Sequence, residues 1–421
     1  MRTPVIGDVI ESQARSVKAA SRILYDCPTA KKNRLLRAII SRLRAGTPAI
    51  LAANREDLEN ARRGGLSPVL LDRLTLNEPG IQQIIKGVRD VIGLPDPVGR
   101  IREKVKRPNG LRIEKMSVPL GAVGIIYEAR PNVTIDASVL CLKSGNTVLL
   151  RGGSEALHTN RILVEFVRMA LGDVGLPPGC VEFIDSTDRE SVAKMLSQSE
   201  YLDVIIPRGG RQLIDFIRET SSVPVIAHGE GNCHVFVDSS ADLSKAEEIV
   251  FNAKVQRPSV CNAAEKLLVH RKIAPKFLPR IANRLRNAGV ELRCDHGALA
   301  LIPDASHAAE ADWYKEYLDL IIAIKTVKNL DEAIDHINHY GSHHSDAIVT
   351  GSKSNGERFL RSVDSAAVYV NASTRFTDGY EFGLGAEIGI STQKLHARGP
   401  MGLAELTTSK FIVHGTGQTR G

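Results

Sequence analysis

The spacing of hydrophobic residues divides the chain into a helical first part and an alternating second part. Between residues 9 and 93, apolar side chains recur with the period of amphipathic helices, most clearly at 33–40 and 50–54. Pro95-Asp96-Pro97 ends this region, because prolines close together interrupt helices. The polar residues 100–118 that follow are expected to be extended.

Beyond residue 118, short apolar runs alternate with helical patterns. The predicted strands are 121–127, 147–150, 181–184, 202–206, 234–237, 266–269, 320–324 and 410–413. The predicted helices between them are 135–142, 160–171, 189–198, 245–253, 273–288 and 330–337. This alternation predicts an α/β protein with two doubly wound sets of parallel strands. Ligands of such sheets bind at the carboxyl ends of the strands, so the loops after the strands are the first candidates for chemistry.

Composition narrows the classes of protein. The 421 residues are too many for one ordinary core and suit two or three domains. The formal net charge of +7 is scattered, which does not indicate nucleic-acid binding but favours anionic small molecules. No apolar run is long enough to span a bilayer, and the N-terminus lacks the apolar core of a signal peptide. We therefore expect a cytoplasmic protein that binds neither nucleic acid nor membrane.

The six cysteines are widely separated and show neither a C-x-x-C pair nor zinc-ligand spacing. We expect reduced thiols and no metal site. Cys261 differs from the others by its context, because it lies in the loop 256–262 near Arg257. Positive charge can hold a thiolate for nucleophilic work, although a buried structural thiol is the alternative. Cys233 stands beside His234, but neighbours on a strand point to opposite faces, which argues against a Cys–His pair.

Loops after three of the strands combine glycine or proline with arginine. They are residues 128–132, 151–155 and 207–211. Gly152-Gly153 and Gly209-Gly210 each stand beside an arginine at a predicted helix start, where free backbone amides and a guanidinium suit a phosphate group. Glycine pairs are also ordinary turns, so each pair by itself leaves that alternative open.

Several long motifs resemble the gamma-glutamyl phosphate reductases, a family within the aldehyde dehydrogenase superfamily. The most specific are VPLGAVGIIYEARPN at 118–132 and QRPSVCN at 256–262. The others are 144–146, 150–156, 206–210, 228–234, 340–345 and 370–376. The likeness extends from near residue 54 to residue 411. It implies an aldehyde dehydrogenase-like fold with a cofactor domain, a catalytic domain and a small β oligomerisation flap.

The resemblance also implies domain ranges. An NADPH-binding domain is expected at 1–98, 118–231 and 385–401. A catalytic domain is expected at 232–384, and the oligomerisation flap at 99–117 and 402–421.

Carried over residue by residue, the resemblance implies a set of site residues. Cys261 is the catalytic nucleophile, and Asn132 helps to hold the developing oxyanion. The implied cofactor-binding residues are Arg151 and Ser154 at the adenosine ribose, Gly209 and Gly210 near the pyrophosphate, and Glu316 at the nicotinamide ribose. The candidates for binding the phosphate and the amino-acid end of the substrate are Arg130, Arg257, Arg375 and Arg398. His343 and His344 are expected to be structural or lining residues.

Two departures from the wider superfamily affect the expected chemistry. Ser154 stands where many members carry an acidic residue, and with Arg151 nearby it favours the 2′-phosphate of NADPH over NADH. Glu155, one residue further on, leaves that preference less strict. Ala227 stands where hydrolytic members carry the glutamate that activates water, although Glu230 is close enough to leave the register open.

The resemblance, with these two departures, implies the NADPH-dependent reduction of L-glutamyl 5-phosphate to L-glutamate 5-semialdehyde, with release of phosphate, through a thioester on Cys261. It implies that this is the second step of proline biosynthesis from glutamate. A separate glutamate 5-kinase is a possible partner, and a homo-oligomer is expected. The alternatives are a hydrolytic aldehyde dehydrogenase and a non-catalytic binding or scaffold protein that retains the fold.

Overall fold

The computed structural model describes residues 6–227 and 229–420. Contacts divide them into two compact units. The first unit contains the described residues up to Ala227, together with Gly383–Gly389 and the residues from Met401 onward. The second unit contains the described residues from 229 to Phe382 and Ile390–Pro400.

Helices dominate the start of the chain and alternate with strands after it. In chain order the α-helices are α1 (Ile6–Tyr25), α2 (Thr29–Ala45), α3 (Thr47–Arg63), α4 (Pro68–Leu74), α5 (Glu78–Gly93), α6 (Asn132–Lys143), α7 (Leu157–Asp173), α8 (Glu190–Leu196), α9 (Arg211–Thr220), α10 (Leu243–Val255), α11 (Ala274–Asn287), α12 (His296–Leu299), α13 (Glu310–Tyr314), α14 (Leu330–Tyr340) and α15 (Lys353–Ser362). Short 3₁₀ turns cover Ser154–Ala156, Pro178–Cys180 and Thr374–Phe376.

The strands begin only after the helical first part. In chain order they are β1 (Ile101–Lys106), β2 (Arg112–Pro119), β3 (Ala122–Tyr127), β4 (Thr147–Arg151), β5 (Val181–Phe183), β6 (Val204–Arg208), β7 (Cys233–Val237), β8 (Ala264–His270), β9 (Glu291–Cys294), β10 (Ser306–His307), β11 (Ile321–Val327), β12 (Ser345–Val349), β13 (Ala367–Val370), β14 (Ile390–Ser391), β15 (Gly399–Pro400) and β16 (Thr407–His414).

The first unit is built on a parallel sheet with the strand order β5-β4-β3-β6. All six residues of β3 are buried, as expected for a central strand that is covered on both faces. Buried side chains of α1 and α8 pack against this sheet in one apolar cluster. Separately, β1, β2 and β16 form a three-stranded antiparallel sheet, which we call the flap.

The second unit is built on a seven-stranded parallel sheet, counted over the described residues, with the order β10-β9-β11-β8-β7-β12-β13. One apolar cluster includes residues of α10 and α11 on this sheet, and a second includes residues of α14 and α15. A sheet with helices on both faces buries its strands, and the residues of β7, β8 and β12 are accordingly all buried. Strands β14 and β15 form a separate antiparallel pair.

The structure confirms the predicted fold class, with two parallel sheets covered by helices and a small additional β-sheet. Each strand predicted from an apolar run is present, with ends shifted by up to three residues. The sequence pattern missed six strands, β9, β10, β12, β13, β14 and β15. In β12 the first residues, Ser345 and Asp346, are polar although both are buried. The predicted domain ranges, and the roles given to the domains, stay predictions.

A helix that crosses a bilayer must be both long and apolar. None of the helices within residues 6–227 and 229–420 combines these two properties.

Candidate active site

Cys261 lies in a turn of the second unit between the end of α10 and the start of β8. It is partly exposed, whereas the other five cysteines are buried. Burial raises the pKa of all five buried thiols, those of Cys27, Cys141, Cys180, Cys233 and Cys294. Since the thiolate is the nucleophilic form, exposure favours Cys261 over the other five.

The next residue, Asn262, holds this turn in place. Its side chain is buried and donates to the carbonyl oxygen of Thr377 at 2.8 Å and to that of Arg375 at 3.3 Å. In return, the hydroxyl of Thr374 donates to the carbonyl oxygen of Asn262 at 2.7 Å. These bonds join two segments that are about a quarter of the chain apart, and both were singled out by the sequence motifs.

The start of β7 packs directly beneath the Cys261 turn. The thiol of Cys233 donates to the carbonyl oxygen of Cys261 at 3.1 Å. A Cβ atom on Gly231 would overlap the carbonyl group of Cys261, so only glycine fits there without a shift of the backbone. Cys233 also approaches Nδ1 of His344 at 3.7 Å, whereas His234 pairs with Asp346 at 3.0 Å. The adjacent Cys233 and His234 therefore do not form a pair, as the strand geometry predicted.

Glu316 belongs to the same cluster, because it accepts a hydrogen bond from the backbone N–H of Gly231 at 2.8 Å. Burial raises the pKa of its carboxyl group to about 7, and the negative charges of Glu265 and Glu230 act in the same direction. The hydrogen bond from Gly231 opposes that shift. Gly231 therefore contacts both Glu316 and the backbone of Cys261. The sequence analysis had not connected Gly231 with either residue.

The backbone on both sides of Glu316 is anchored to β8. The ammonium group of Lys266 donates to the carbonyl oxygen of Lys315 at 2.7 Å, and the backbone N–H of Leu318 donates to Glu265 at 3.2 Å. Lys266 is fully buried, and burial lowers its pKa to about 7. The sequence analysis did not identify Lys266 and Glu265 as residues near the site, because single charged residues within a strand form no recognisable sequence pattern.

Two of the four candidate arginines, Arg257 and Arg375, belong to the segments that carry and hold Cys261. Arg375 is partly buried, and its guanidinium donates to Gln256 at 2.8 Å and also to Asn262. Burial lowers the pKa of Arg375, and the neighbouring charge of Arg257 lowers it further. Two cationic side chains that influence each other electrostatically therefore belong to the segments that carry and hold Cys261, which suits an anionic substrate.

The other two candidates are placed differently. Arg398 is paired with Asp364, with 2.9 Å between its guanidinium and the carboxylate. Lys394 also pairs with Asp364, at 2.7 Å. Arg130 belongs to the first unit, just after β3. The structure therefore favours Arg257 and Arg375, while the roles of all four arginines stay predictions.

Asn132, the expected oxyanion donor, is the first residue of α6 in the first unit. Its side-chain amide donates to Oδ2 of Asp136 at 2.9 Å. Burial raises the pKa of Asp136 to about 6, and the charge of Arg208 opposes the rise. Asp136 was not singled out from the sequence, although its i, i+4 spacing from Asn132 could have indicated the contact.

The expected nucleotide residues Arg151, Ser154, Gly209 and Gly210 also lie in the first unit, at the carboxyl ends of β4 and β6. Nε of Arg151 and Nδ2 of Asn160 are buried without a hydrogen-bond partner among the described residues. A Cβ atom on Gly152 would overlap Nδ2 of Asn160, so only glycine allows this close approach of the two segments. The guanidinium of Arg151 beside this glycine turn suits an anionic group such as a nucleotide phosphate.

Two carboxylates, however, accept hydrogen bonds from backbone N–H groups in the loops where the sequence predicted phosphate binding. Glu155 accepts the backbone N–H of Ala129, and Glu128 accepts that of Gly210 at 2.9 Å. Because carboxylates mimic the charge of phosphate, these bonds indicate that the amides bind anions. Ser154 is exposed, as contact with a ligand would require.

The two positions considered for a water-activating base lie in different units. Ala227 is buried in the first unit, and Glu230 is partly buried in the second, where its charge raises the pKa of Glu316.

Comparison with known proteins shows a family likeness over most of the chain. A model of the aldehyde dehydrogenase family matches residues 77–316, more than half of the length. A gamma-glutamyl phosphate reductase from Caldicellulosiruptor saccharolyticus is 55% identical over 423 aligned residues, which cover 99% of this chain and 100% of that protein.

Solved structures show the same likeness in three dimensions. The crystal structure of the gamma-glutamyl phosphate reductase from Thermotoga maritima is 53% identical with a TM-score of 0.96, and the match covers 98% of this chain and 100% of that one. An acetylating aldehyde dehydrogenase from Geobacillus thermoglucosidasius has a TM-score of 0.70 at 16% identity, with 99% and 98% covered. At that identity the likeness establishes the fold alone.

Proposed function

The chain belongs to the aldehyde dehydrogenase family, whose members are oxidoreductases that use a nicotinamide cofactor, and we propose that it reduces L-glutamyl 5-phosphate to L-glutamate 5-semialdehyde. The observation that carries this proposal is the 55% identity to a gamma-glutamyl phosphate reductase over 99% of the chain. The product is expected to enter proline biosynthesis.

The first step of the proposed mechanism is acyl transfer to Cys261. The thiolate attacks the carbonyl carbon of the acyl phosphate, the bond from that carbon to the phosphate oxygen breaks, and inorganic phosphate leaves with the electron pair. A thioester on Cys261 remains. Arg257 and Arg375 stabilise the negative charge of the substrate and of the leaving phosphate. The partial exposure of Cys261 and the neighbouring guanidiniums support this assignment.

The tetrahedral intermediate of that step carries an oxyanion, which needs hydrogen-bond donors placed in advance. The proposed donors are the side-chain amide of Asn132 and the backbone N–H of Cys261. The hydrogen bond from Asn262 to Thr377 and the close approach of Gly231 to the carbonyl group of Cys261 hold this turn and support the second donor.

The residues proposed to hold the cofactor are Arg151, Ser154, Gly209, Gly210 and Glu316. When bound, the reduced nicotinamide supplies the hydride that the thioester carbonyl accepts. The chain then releases the aldehyde as the carbon–sulfur bond breaks and Cys261 departs as the thiolate. The combination of the exposed Ser154 with the positive charge of Arg151 supports NADPH, because a 2′-phosphate gains a cationic partner there.

Water has no role in this reaction, and a base that activated it would hydrolyse the thioester. The resemblance implies Ala227 at the position where hydrolytic relatives carry a glutamate, with Glu230 as the alternative register, and an alanine there is consistent with that need. The nearest alternative function, an aldehyde dehydrogenase that produces a free acid, requires such a base.

The test is the reverse reaction, the NADP-dependent oxidation of glutamate semialdehyde with and without phosphate. We expect NADP reduction to require phosphate and to be lost in Cys261→Ala, with NADPH binding by that variant little changed. Cys141→Ala, which removes a buried thiol in α6, is the matched control and should retain the activity. Oxidation that proceeds equally well without phosphate would instead establish the hydrolytic alternative.

Assembly and partners also stay proposals. The flap formed by β1, β2 and β16 is the proposed oligomerisation surface. A separate glutamate 5-kinase, which would supply the acyl phosphate, is the proposed enzyme partner.

A further inference from the structure

We propose that the second unit has a further binding site, a cavity at the carboxyl ends of β8, β9 and β11, for a small organic anion. The ligand joins a carboxylate or phosphate group to an apolar part. The residues that carry this inference are Arg271, His296 and Thr326, which all line the cavity. The site goes beyond the proposed function and does not depend on it.

This cavity, which we call the carboxyl-edge cavity, lies at the end of the sheet opposite to Cys261. The Cys261 turn precedes β8 and Gly231 precedes β7, so both lie at amino ends of strands. Arg271 directly follows β8, His296 follows β9, and Thr326 is the last residue but one of β11. A parallel strand rises about 3.3 Å per residue, so the seven residues of β8 separate its two ends by about 20 Å. Sheets of this kind bind ligands at carboxyl ends, an edge that the Cys261 cluster does not use.

The size and walls of the carboxyl-edge cavity suit a small molecule with an apolar part. Its volume is about 330 Å³, within the range of about 300–1,000 Å³ that is typical of such sites. Three of its lining residues are apolar, Ala274 and Pro275 at the start of α11 and Leu301 shortly after α12. An inorganic ion would leave these apolar groups uncovered, whereas an organic anion would bury them.

Arg271 supplies the charge that recognises the anion. Its side chain is exposed, and within residues 6–227 and 229–420 its guanidinium forms no hydrogen bond or ion pair. This differs from Arg398, which is paired with Asp364. A planar guanidinium can donate two parallel hydrogen bonds to one carboxylate or phosphate group.

The carboxylate of Asp295 also lines the cavity, but it is already engaged. It accepts the backbone N–H of Ala298 at 2.8 Å, and the backbone N–H and hydroxyl of Thr326 at 3.2 and 3.1 Å. Asp295 thereby ties the turn after β9 to the end of β11. Lys272 is exposed beside Arg271, so two cations stand against one carboxylate at this edge, which favours an anion.

His296 adds a donor of a different kind. Its ring lines the cavity and is in edge contact with the ring of His307, with 5.1 Å between the ring centroids. An imidazole N–H can donate to a carboxylate or a phosphate oxygen. The flat ring also offers an apolar face to the rest of the ligand.

The test is isothermal titration calorimetry of the full chain with four probes. Phenyl phosphate and benzoate join an anionic group to an apolar ring, whereas inorganic phosphate lacks the ring and benzyl alcohol lacks the charge. We expect saturable binding of phenyl phosphate or benzoate, and the stronger of the two identifies the preferred anionic group. Inorganic phosphate and benzyl alcohol should each bind about 10-fold more weakly or worse than that probe.

Three variants locate the bound probe. Arg271→Met should weaken binding by about 10-fold or more, because it removes the charge-assisted hydrogen bonds. Lys272→Met removes the same charge from a neighbour that does not line the cavity, and its effect should stay below about twofold. Pro275→Glu brings a negative charge into the first turn of α11, where a carboxylate favours the helix. It should abolish binding without lowering the thermal midpoint.

The inference is overturned if none of the probes binds, or if binding survives both Arg271→Met and Pro275→Glu. It is also overturned if Arg257→Met abolishes binding and Arg271→Met does not, because the probe then lies near Cys261. Should Arg271→Met fold poorly, Pro275→Glu and Lys272→Met still decide the question.

Failure of this inference can be told apart from failure of the proposed function. Turnover by Arg271→Met without any probe should stay within about twofold of the unmodified protein, because the cavity is remote from Cys261. An active Cys261→Ala variant would overturn the proposed function and leave the probe titrations unaffected.

Discussion

The thiol of Cys233 donates to the carbonyl oxygen of Cys261 over 3.1 Å, so a fully buried cysteine holds the backbone of the partly exposed one. The contact arises because β7 and β8 run side by side, with Cys233 paired to Ala264 at their amino ends. The turn that carries Cys261 precedes β8 and is therefore brought over the first residues of β7. Orientation of the nucleophile depends on this contact between two strands.

Replacement of Cys233 by alanine should loosen the Cys261 turn. A lost hydrogen bond costs about 1 kcal/mol, which lowers the population of the correctly oriented turn roughly fivefold. We expect kcat to fall by about the same factor. Cys233→Ser, which keeps a donor, should fall less. The rate at which iodoacetamide alkylates Cys261 across a pH series provides the second measurement. Cys141→Ala is the control, and a Cys233→Ala variant that behaves like it in both assays would contradict the prediction.

Replacement of Gly231 by alanine should be much more damaging. The added Cβ would overlap the backbone carbonyl of Cys261, which cannot rotate away as a flexible side chain could. We expect a loss of activity of about 100-fold or more, because a displacement of the nucleophile by about 1 Å has effects of that size. Gly172→Ala, where an added Cβ meets nothing within 4 Å, is the matched control and should remain fully active. Comparable activity of the two variants would show that the turn adapts.

Glu316 should make stability depend on pH in an identifiable direction. Burial raises the pKa of its carboxyl group from 4.5 to about 7, so between these values the native state holds a proton that the unfolded state has released. Stability therefore falls as the pH rises through this window, by at most about 3 kcal/mol for a shift of this size. Glu316→Gln should remove that part of the pH dependence, measured as thermal midpoints from acidic to neutral pH. The exposed Glu219, changed to Gln, serves as the control. An unchanged pH profile in Glu316→Gln would show that this carboxyl group has no raised pKa.

The flap should be needed for assembly. Val105, Ile113 and Val413 form one row across its three strands, and Phe411 lies two residues from Val413 on the same face of β16. Phe411 is 68% exposed and Val413 is 55% exposed, which is unfavourable for apolar side chains on an edge strand.

We expect Phe411→Asp to reduce the molecular mass of the particle in solution, measured by size-exclusion chromatography with light scattering. Leu395→Asp is the control, because Leu395 is also strongly exposed but lies in the second unit. If the Phe411→Asp variant has the same molecular mass in solution as the unmodified protein, the proposal that the flap forms the interface is wrong.

The sequence by itself determined the α/β class and most of the longer central strands, because buried parallel strands need continuous apolar runs such as that of β3. It also singled out Cys261, since its motif is contiguous and specific, and it placed both glycine pairs at the ends of strands. It could not reveal β12, whose polar first residues break the apolar pattern.

Only the tertiary structure decided what surrounds these residues. Cys233 lies 28 positions from Cys261, and Gly231 lies 85 positions from Glu316, so no local pattern links them. Their contacts depend on which strands pair and in which register, and the whole sheet determines that pairing. The raised pKa of Glu316 has the same origin, because burial is a property of the packed unit and not of the residue.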